Sequence, residues 1–516
     1  MQRRSFIVSA GSAMVLTACG GSSTDAPVVT PFASGKGPSS SKAPYLTPIA
    51  AAVQFGAILT TGDAIGTYRM VGIPDGLGAY DNGNGTFTLL MAHELGSTSG
   101  VARAHGAKGA YVAEWVIDKT TMEVKSGSDL MRSVYTSSDG TNWTVASAVA
   151  FNRFCSADLA PVSAFYNSAS SKGSQARIFL NGEESASTTA RAVAHVASGA
   201  DKGKSYVLTW PTAGGAYPGT GVSWENLLAH PSAGDKTIVM ANSDGGSNGV
   251  YMYAGTKSNT GNEIQKAGLV GGTLYRIAVG GVTAAETTAA DAGLGIVNRA
   301  STFTCSVDLN VGTTFLRPED GAWDTVNPNR YYFVTTNQMD AAKDGNANPD
   351  ISAAQLGRTR LWRLTFTDLS RPELGGVIEM LLDGTETVTV NSRVHGPQML
   401  DNLCVSADGS LILQEDSGNN AHNAKVWRYV PASGAAAASL TLLAQHDAAL
   451  FGDYGTSTVG SLTKDEESSG VIDVTAMLAR GDGKKYFLLV TQNHALDTSA
   501  NAAELVEGGQ LMLMSL

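Results

Sequence analysis

Leu89-Leu90-Met91-Ala92-His93-Glu94, Ile178-Phe179-Leu180-Asn181-Gly182-Glu183-Glu184 and Ile412-Leu413-Gln414-Glu415-Asp416 share one form, a short apolar run that closes on acidic residues. Val239-Met240-Ala241-Asn242-Ser243-Asp244, Phe315-Leu316-Arg317-Pro318-Glu319-Asp320 and Val334-Thr335-Thr336-Asn337 vary it. Runs this short, aliphatic or β-branched and bounded by turn residues, read as strands. One strand ending in Glu carries no message, and Asp and Asn populate turns for backbone reasons. Six such ends converging on one axis would gather oxygen ligands at one mouth, which is what hard cations such as calcium require. Much of the set is Glu, which turns do not favour.

The same texture continues through Thr86 to Met91, Ala176 to Leu180, Lys236 to Met240, Val250 to Tyr253, Tyr331 to Val334, Leu411 to Leu413 and Tyr486 to Val490. With 59 Gly in 516 residues and 16% charged residues, against about 25% in an average domain, the chain reads as a turn-rich all-β protein. One domain over residues 44–516 is large, and closed or radially repeated β architectures reach that size, although no exact internal repeat is visible. Ala-rich Ser185 to Ala197 and Thr283 to Leu294 are predicted to be short inserted helices. Acidic residues outnumber basic ones, 46 to 35, for a net charge of −11. That balance offers no broad basic face for nucleic acid. Handling an anionic substrate would instead need a local cationic centre, which bound metal ions supply.

Residues 1–19 read as an export signal, with Arg3-Arg4 ahead of an apolar stretch and Leu16-Thr17-Ala18-Cys19 resembling a lipobox. Cys19 is then the lipidated residue and residues 20–43, rich in Gly, Ser, Thr and Pro, a flexible tether. The expectation is an exported protein, attached only by that lipid to a membrane facing the periplasm or cell surface, with Gly20 favouring the outer membrane. The competing reading is a plain secretory peptide cleaved nearby. Cys155, Cys305 and Cys404 remain, an odd number, so one thiol lacks an intramolecular partner. A metal ligand and a buried small hydrophobe both account for it.

These segments resemble the PhoX-type alkaline phosphatases. Met91-Ala92-His93-Glu94 is similar to the family's early N-H-E strand end, with Gly109 to Val112 and Trp115 to Asp118 similar to the strand that follows. Arg153-Phe154-Cys155-Ser156-Ala157 is similar to its N-N-C-A segment, Asn181-Gly182-Glu183-Glu184 to its T-C-E-E segment, and Glu225 to the Glu of an H-E pair. Arg317-Pro318-Glu319 with Thr335-Thr336-Asn337 resembles its R-P-E and T-x-x-N pair. Asp401-Asn402-Leu403 with Gln414-Glu415-Asp416 resembles its D-N-L and Q-T-D pair, and Glu507 to Leu511 fits its close.

The resemblance implies a six-bladed β-propeller whose channel opens on a cluster of several calcium ions and ferric iron that hydrolyses phosphate monoesters, with diesters as a further class. It implies Glu94, Glu183, Glu184, Glu225, Glu319 and Asp416 as carboxylate ligands and Cys155 as an iron-bound thiolate; Arg317, whose fork suits a bidentate grip on phosphate, and Arg153, the one positive charge in its stretch, are the candidate catalytic cations. Asp244, Asp401 and Glu467 extend the candidate ligand set, although Glu467, like His494, stands either at the channel or merely at a strand end. Physically the set is coherent, because calcium takes six to eight oxygens whereas a thiolate selects a softer metal. There are departures: no Lys lies between Trp143 and Cys155, Asn181-Gly182 replaces Thr-Cys, and Glu415 replaces Thr beside Asp416. The expected partner is a small phosphoester and the expected state a monomer. The rival from another class is a calcium-stabilised propeller that binds a ligand or surface partner and catalyses nothing.

Other motifs fail in context. Gly245-Gly246-Ser247-Asn248-Gly249 matches G-x-S-x-G, but a strand-like run follows where a nucleophile elbow needs a helix. Ser97 replaces the second His of a zincin motif after His93-Glu94. Asp344, Asn346, Asn348 and Asp350 alternate like an EF-hand loop that lacks its Gly and final Glu.

Overall fold

In the computed structural model, the inner strands of six mostly antiparallel blades stand around a central axis. The structure describes residues 31–185, 190–210, 222–282, 300–336, 359–418, 422–453 and 459–516. Cys19, Asn337, the EF-hand-like loop and Thr283 to Leu294 lie outside them.

The inner strands are Pro74–Asp81, Phe154–Asp158, Val222–Trp224 continued by Leu228–Ala229, Pro318–Trp323, Leu400–Val405 and Glu466–Asp473, for blades 1 to 6 in chain order. Each sits at the end of its sheet and touches the inner strands of the neighbouring blades. The second strands are Thr86–His93, Ile178–Glu183, Lys236–Gly246, Arg330–Thr335, Leu411–Glu415 and Tyr486–Asn493. They run back toward the mouth from which the inner strands start, and third and fourth strands follow outward. Blades 3 and 4 are also joined at their outer edges, where Ala300–Ser306 pairs with Thr273–Val279 on one side and Gly376–Leu382 on the other. The ring closes at the N-terminal end of the described chain: Gln54–Thr60 pairs with Gly508–Ser515 in blade 6, and Leu46–Pro48 with Ser439–His446 in blade 5. Within the stretch read as a tether, Gly35–Lys36 already pairs with the outer edge of blade 6.

The hydrophobic cores lie between blades. Phe487 and Leu489 pack with Ile412 and Val426 of blade 5, whereas Leu488 and Val490 pack with Leu89 of blade 1. Successive side chains of a strand face opposite sides, so a sheet covered on both faces needs a continuous apolar run. That is why the second strands stood out in the sequence.

Two local readings are corrected. Ala192–Val196, within the predicted helix Ser185 to Ala197, is the third strand of blade 2, paired on both edges with every residue buried. Burial between blades overrides the helix preference of Ala. Phe315-Leu316 does not end a strand at Glu319; an inner strand starts at Pro318. Gly245 and Gly246 end the strand Lys236–Gly246, and Ser247 to Gly249 turn into the strand Val250–Thr256, so a strand follows the Ser as its sequence context predicts.

Candidate metal centre

The blades share a device that builds the mouth. Each inner strand pairs with its second strand through a β-bulge, near its first residues in blades 1 to 5 and at mid-strand in blade 6: the register shifts between Pro74 and Leu77, Phe154 and Ala157, Val222 and Trp224, Pro318 and Gly321, Leu400 and Leu403, and Ser469 and Val471. In four blades the residue just before the inner strand is a non-glycine in the left-handed region: Ile73 (φ 52°), Arg153 (42°), Arg317 (55°) and Met399 (43°). Such backbone is costly and persists where surrounding contacts over-determine it. Here the carbonyl of that residue accepts the amide of the first residue past the second strand. The pairs are Glu94 to Ile73 (2.9 Å), and Glu184 to Arg153, Thr336 to Arg317 and Asp416 to Met399 (all 3.0 Å). His494 to Asp465 repeats the bond in blade 6 at 2.9 Å.

Two positions per blade, and one in blade 4, are thereby aimed at the axis. The second residue of the inner strand is Asp75, Cys155, Glu319, Asp401 and Glu467 in blades 1, 2, 4, 5 and 6, and Glu225 follows the first inner strand of blade 3. The residue past the second strand is Glu94, Glu184, Asp416 and His494 in blades 1, 2, 5 and 6; in blade 3 Asp244 serves from within the strand. All of these line one cavity of about 310 Å³, together with Arg153, Arg317 and Asp465.

The structure therefore gathers eleven of the twelve predicted metal and phosphate residues, all except Glu183. Alternation along the strand turns Glu183 away from the face on which Glu184 lies. Glu183 is buried against Arg191, which donates to Oε2 at 2.5 Å from Nε and to Oε1 at 2.7 Å, and it accepts the amides of Asn152 (2.8 Å) and Arg191 (2.9 Å). Glu415 does the same beside Asp416, accepting the amides of Gln398 at 2.9 Å and Lys425 at 3.0 Å. The first acid of each pair braces the approach to the inner strand and the second faces the channel. Asp75 and Asp465 were missed because the sequence was read for acids that close apolar runs, and these precede one. The available signal was Ile73-Pro74-Asp75 beside Arg317-Pro318-Glu319, a bulky residue, Pro and an acid ahead of a short strand.

Ten carboxylates face two arginines and one histidine in this cavity, an excess of eight formal negative charges with the histidine neutral. Burial, then the neighbouring acids, pushes Asp75, Glu225, Glu319 and Asp401 well above the usual carboxylate range. Burial likewise carries Glu184 and Glu467 up to about 7. The Cys155 thiol, raised by burial and by Glu94 and Glu225, donates to Glu184 Oε2 at 3.2 Å. Arg317 grips Asp244 with Nε at 3.0 Å and a terminal nitrogen at 2.7 Å, and lies 3.1 Å from Glu319. Arg153 donates to Glu184 Oε1 at 2.8 Å. So much like charge out of water is favourable only with cations among it.

The donor set fits metal ions. Three triads bring ligand atoms within 4.8 Å of one another: Asp75, Glu94 and Cys155; Cys155, Glu184 and Glu225; Glu225, Glu319 and Asp401. Cys155 links the first two and Glu225 the last two, so the triads form a connected cluster. Oxygen-rich positions suit calcium, and the thiolate a transition metal. Cys305 and Cys404 instead pack against hydrophobic cores.

The fold is similar to that of PhoX from Pseudomonas fluorescens, solved in complex with vanadate, a transition state analogue. Sequence identity is 10% and the TM-score 0.50, over 91% of this chain and 97% of that one. A putative 6-phosphogluconolactonase from Bacteroides uniformis is 11% identical at a TM-score of 0.29, over 70% of this chain and 84% of that one. The sialidase of Trypanosoma rangeli is 9% identical at 0.30, over 89% and 57%. No family model and no curated protein matches the chain. The β-propeller-like, all-β architecture predicted from the sequence is the one observed.

Proposed function

We propose that this chain is a metal-dependent phosphohydrolase that cleaves phosphate monoesters, with diesters as a further substrate class, at the channel mouth. The observation that carries the reading is the connected triad cluster with Arg153 and Arg317 on its rim. The likeness of fold to PhoX, a protein solved with a phosphoryl-transfer mimic, supports it. Several calcium ions and a ferric iron at Cys155 are the occupants this donor set favours. Bound there, such ions would polarise phosphoryl oxygens and supply an oxygen nucleophile.

The chain's own residues do the rest. Asp75, Glu225, Glu319 and Asp401 hold cations from the inner strands, and Glu94, Glu184, Asp244 and Asp416 close around them from the second strands. Arg153 and Arg317, held by Glu184 and Asp244, present guanidinium edges that orient the phosphoryl oxygens. Below them Asp320 takes Asn226 Nδ2 at 3.1 Å and the Leu403 amide at 3.2 Å, and Asn402 Nδ2 lies 3.3 Å from Ser156 Oγ. This hydrogen-bonded belt ties the inner strands of blades 2 to 5 to one another beside their acidic residues. Export and lipidation at Cys19 would place the protein on a membrane outside the cytoplasm as a monomer.

The test is elemental analysis of protein purified without added chelator, with hydrolysis of 4-nitrophenyl phosphate measured before and after chelation. Calcium with iron and chelator-sensitive turnover is the expected result. Calcium with no turnover across a phosphoester panel would overturn the enzyme and leave a metal-stabilised binding propeller.

A further inference from the structure

The inner strands all start at the acidic mouth, so their later residues meet at the opposite end of the channel. There they line a second cavity, of about 340 Å³, to which all six blades contribute. Gly78 and Ala79 of blade 1, Ala157 and Ala160 of blade 2, Ala229 of blade 3 and Ala322 of blade 4 stand in its wall. Residues this small around a crowded axis leave the space open. Larger apolar side chains complete the wall, among them Leu77, Leu228, Trp323 and Val405. The Trp323 indole nitrogen is committed to the Leu228 carbonyl at 3.1 Å, so what this side chain offers the cavity is apolar ring.

Two carboxylates interrupt that surface. Asp158 and Asp473 are the last residues of the inner strands of blades 2 and 6. Asp158 accepts the Ala229 amide with Oδ2 at 2.8 Å, and Asp473 accepts the Thr475 amide with Oδ1 at 2.8 Å. The second oxygen of each takes no hydrogen bond from the described residues. No lysine, arginine or histidine shares the wall. Carboxylates drawn out of water are ordinarily paired with a cation, and these two have none beside them. A metal ion does not fit the place. Neither acid belongs to a group of three ligating side chains, and a hard cation needs a shell of oxygens that this apolar wall does not supply. The volume suits a small molecule, at the low end of the range of about 300 to 1,000 Å³ for such sites.

We infer that this cavity is a binding site for a small organic ammonium ion, whose N–H groups donate to Asp158 and whose hydrocarbon body lies against Trp323 and the aliphatic wall. Asp473 adds negative charge to the same cavity, and a bare Asp158 oxygen is the acceptor that fixes the ligand's orientation. The site shares no lining residue with the metal centre, so it stands whether or not the chain hydrolyses phosphoesters.

The test is calorimetry on the metal-loaded full chain with benzylamine and with benzyl alcohol, its neutral counterpart of the same shape. Titration at about pH 8 keeps Asp158, which burial raises to about 7, ionised and the amine protonated. Benzylamine should bind wild type at least about tenfold more tightly than benzyl alcohol, the worth of one hydrogen bond to a charged group. Asp158→Asn should erase that preference and leave the alcohol's affinity in place. Met477→Trp, which fills the cavity from the short helix Thr475–Leu478, should weaken both probes by at least about tenfold. Equal affinity for amine and alcohol in wild type would overturn the ammonium site, as would no binding of either. Benzylamine binding indifferent to both substitutions would also overturn it, since the amine would then sit elsewhere. Heat from added calcium that disappears in Asp158→Asn would make the place a metal site and overturn the organic ligand.

Discussion

Glu184 is tied to Arg153 along both backbone and side chain. Its amide donates to the Arg153 carbonyl at 3.0 Å, and the guanidinium of Arg153 donates to Glu184 Oε1 at 2.8 Å and to the Glu184 carbonyl at 3.1 Å. The backbone half of this arrangement recurs in blades 1, 4, 5 and 6. It lies at the end of a strand buried on both sides, so the acid at the mouth inherits the rigidity of the blade. The strained φ of Arg153 is the local cost of turning that carbonyl toward its partner.

Adjacent acids should therefore behave oppositely. Glu183→Gln breaks a buried pair with Arg191 and should destabilise the fold by about 3 kcal/mol, with metal content retained at saturating calcium. Glu184→Gln should lower metal content while raising the melting temperature of the chelated protein, because one like charge leaves the cluster. Thermal denaturation with and without chelator, beside elemental analysis, checks both. Equal metal loss in the two variants would contradict the division of labour.

Glu319→Ala should lower kcat by at least about 100-fold, since Glu319 takes part in a triad and neighbours Arg317. Folding should survive once calcium is supplied, because the side chain faces the channel rather than an inter-blade core. Circular dichroism beside a phosphatase assay decides it, and full activity in a folded variant would remove Glu319 from the machinery.

The second strands and the acids after them were legible because burial on two faces writes a continuous apolar run and the mouth writes its close. Leu89 to Glu94 and Tyr486 to Val490 show this directly. The inner strands were harder to see. Pro74–Asp81 and Phe154–Asp158 carry Gly and Ala near a crowded axis, so their hydrophobic signal is weak. A Cβ on Gly76 would meet Ala157 at 2.4 Å, which shows how closely blades 1 and 2 approach there. The repeat escaped notice because it resides in backbone geometry: Ile73, Arg153, Arg317 and Met399 share a conformation while their side chains range from aliphatic to cationic. Glu183 was misread because spacing along one strand does not reveal which of two adjacent acids faces the axis until the register is known.

Cys155 predicts colour. A ferric ion bound to its thiolate absorbs visible light, and calcium does not. Cys155→Ser should bleach the purified protein and lower its iron content by at least about tenfold while calcium is kept, because serine supplies a harder donor. Absorption spectra paired with elemental analysis test this. A colourless wild type without iron would assign Cys155 to packing and hydrogen bonding with Glu184 alone.

Asp158 gives a pH dependence independent of the metals. It sits at the opposite end of the channel, where it lines a separate cavity of about 340 Å³ and accepts the Ala229 amide at 2.8 Å. Burial, with the charge of Asp320 adding to it, raises its pKa to about 7 in the folded protein, whereas the unfolded chain titrates near 3.9. Between those values the folded state holds a proton that the unfolded state has released, so stability falls as pH rises from about 4 to 7, by up to about 1.4 kcal/mol per unit. Above that window the loss is complete and the slope vanishes. Asp158→Asn keeps the acceptor for Ala229 but cannot ionise. Its stability relative to wild type, from urea denaturation of the metal-loaded proteins, should therefore climb from pH 4 to 7 and then level off. A flat difference across that range would mean that Asp158 is already ionised in the fold.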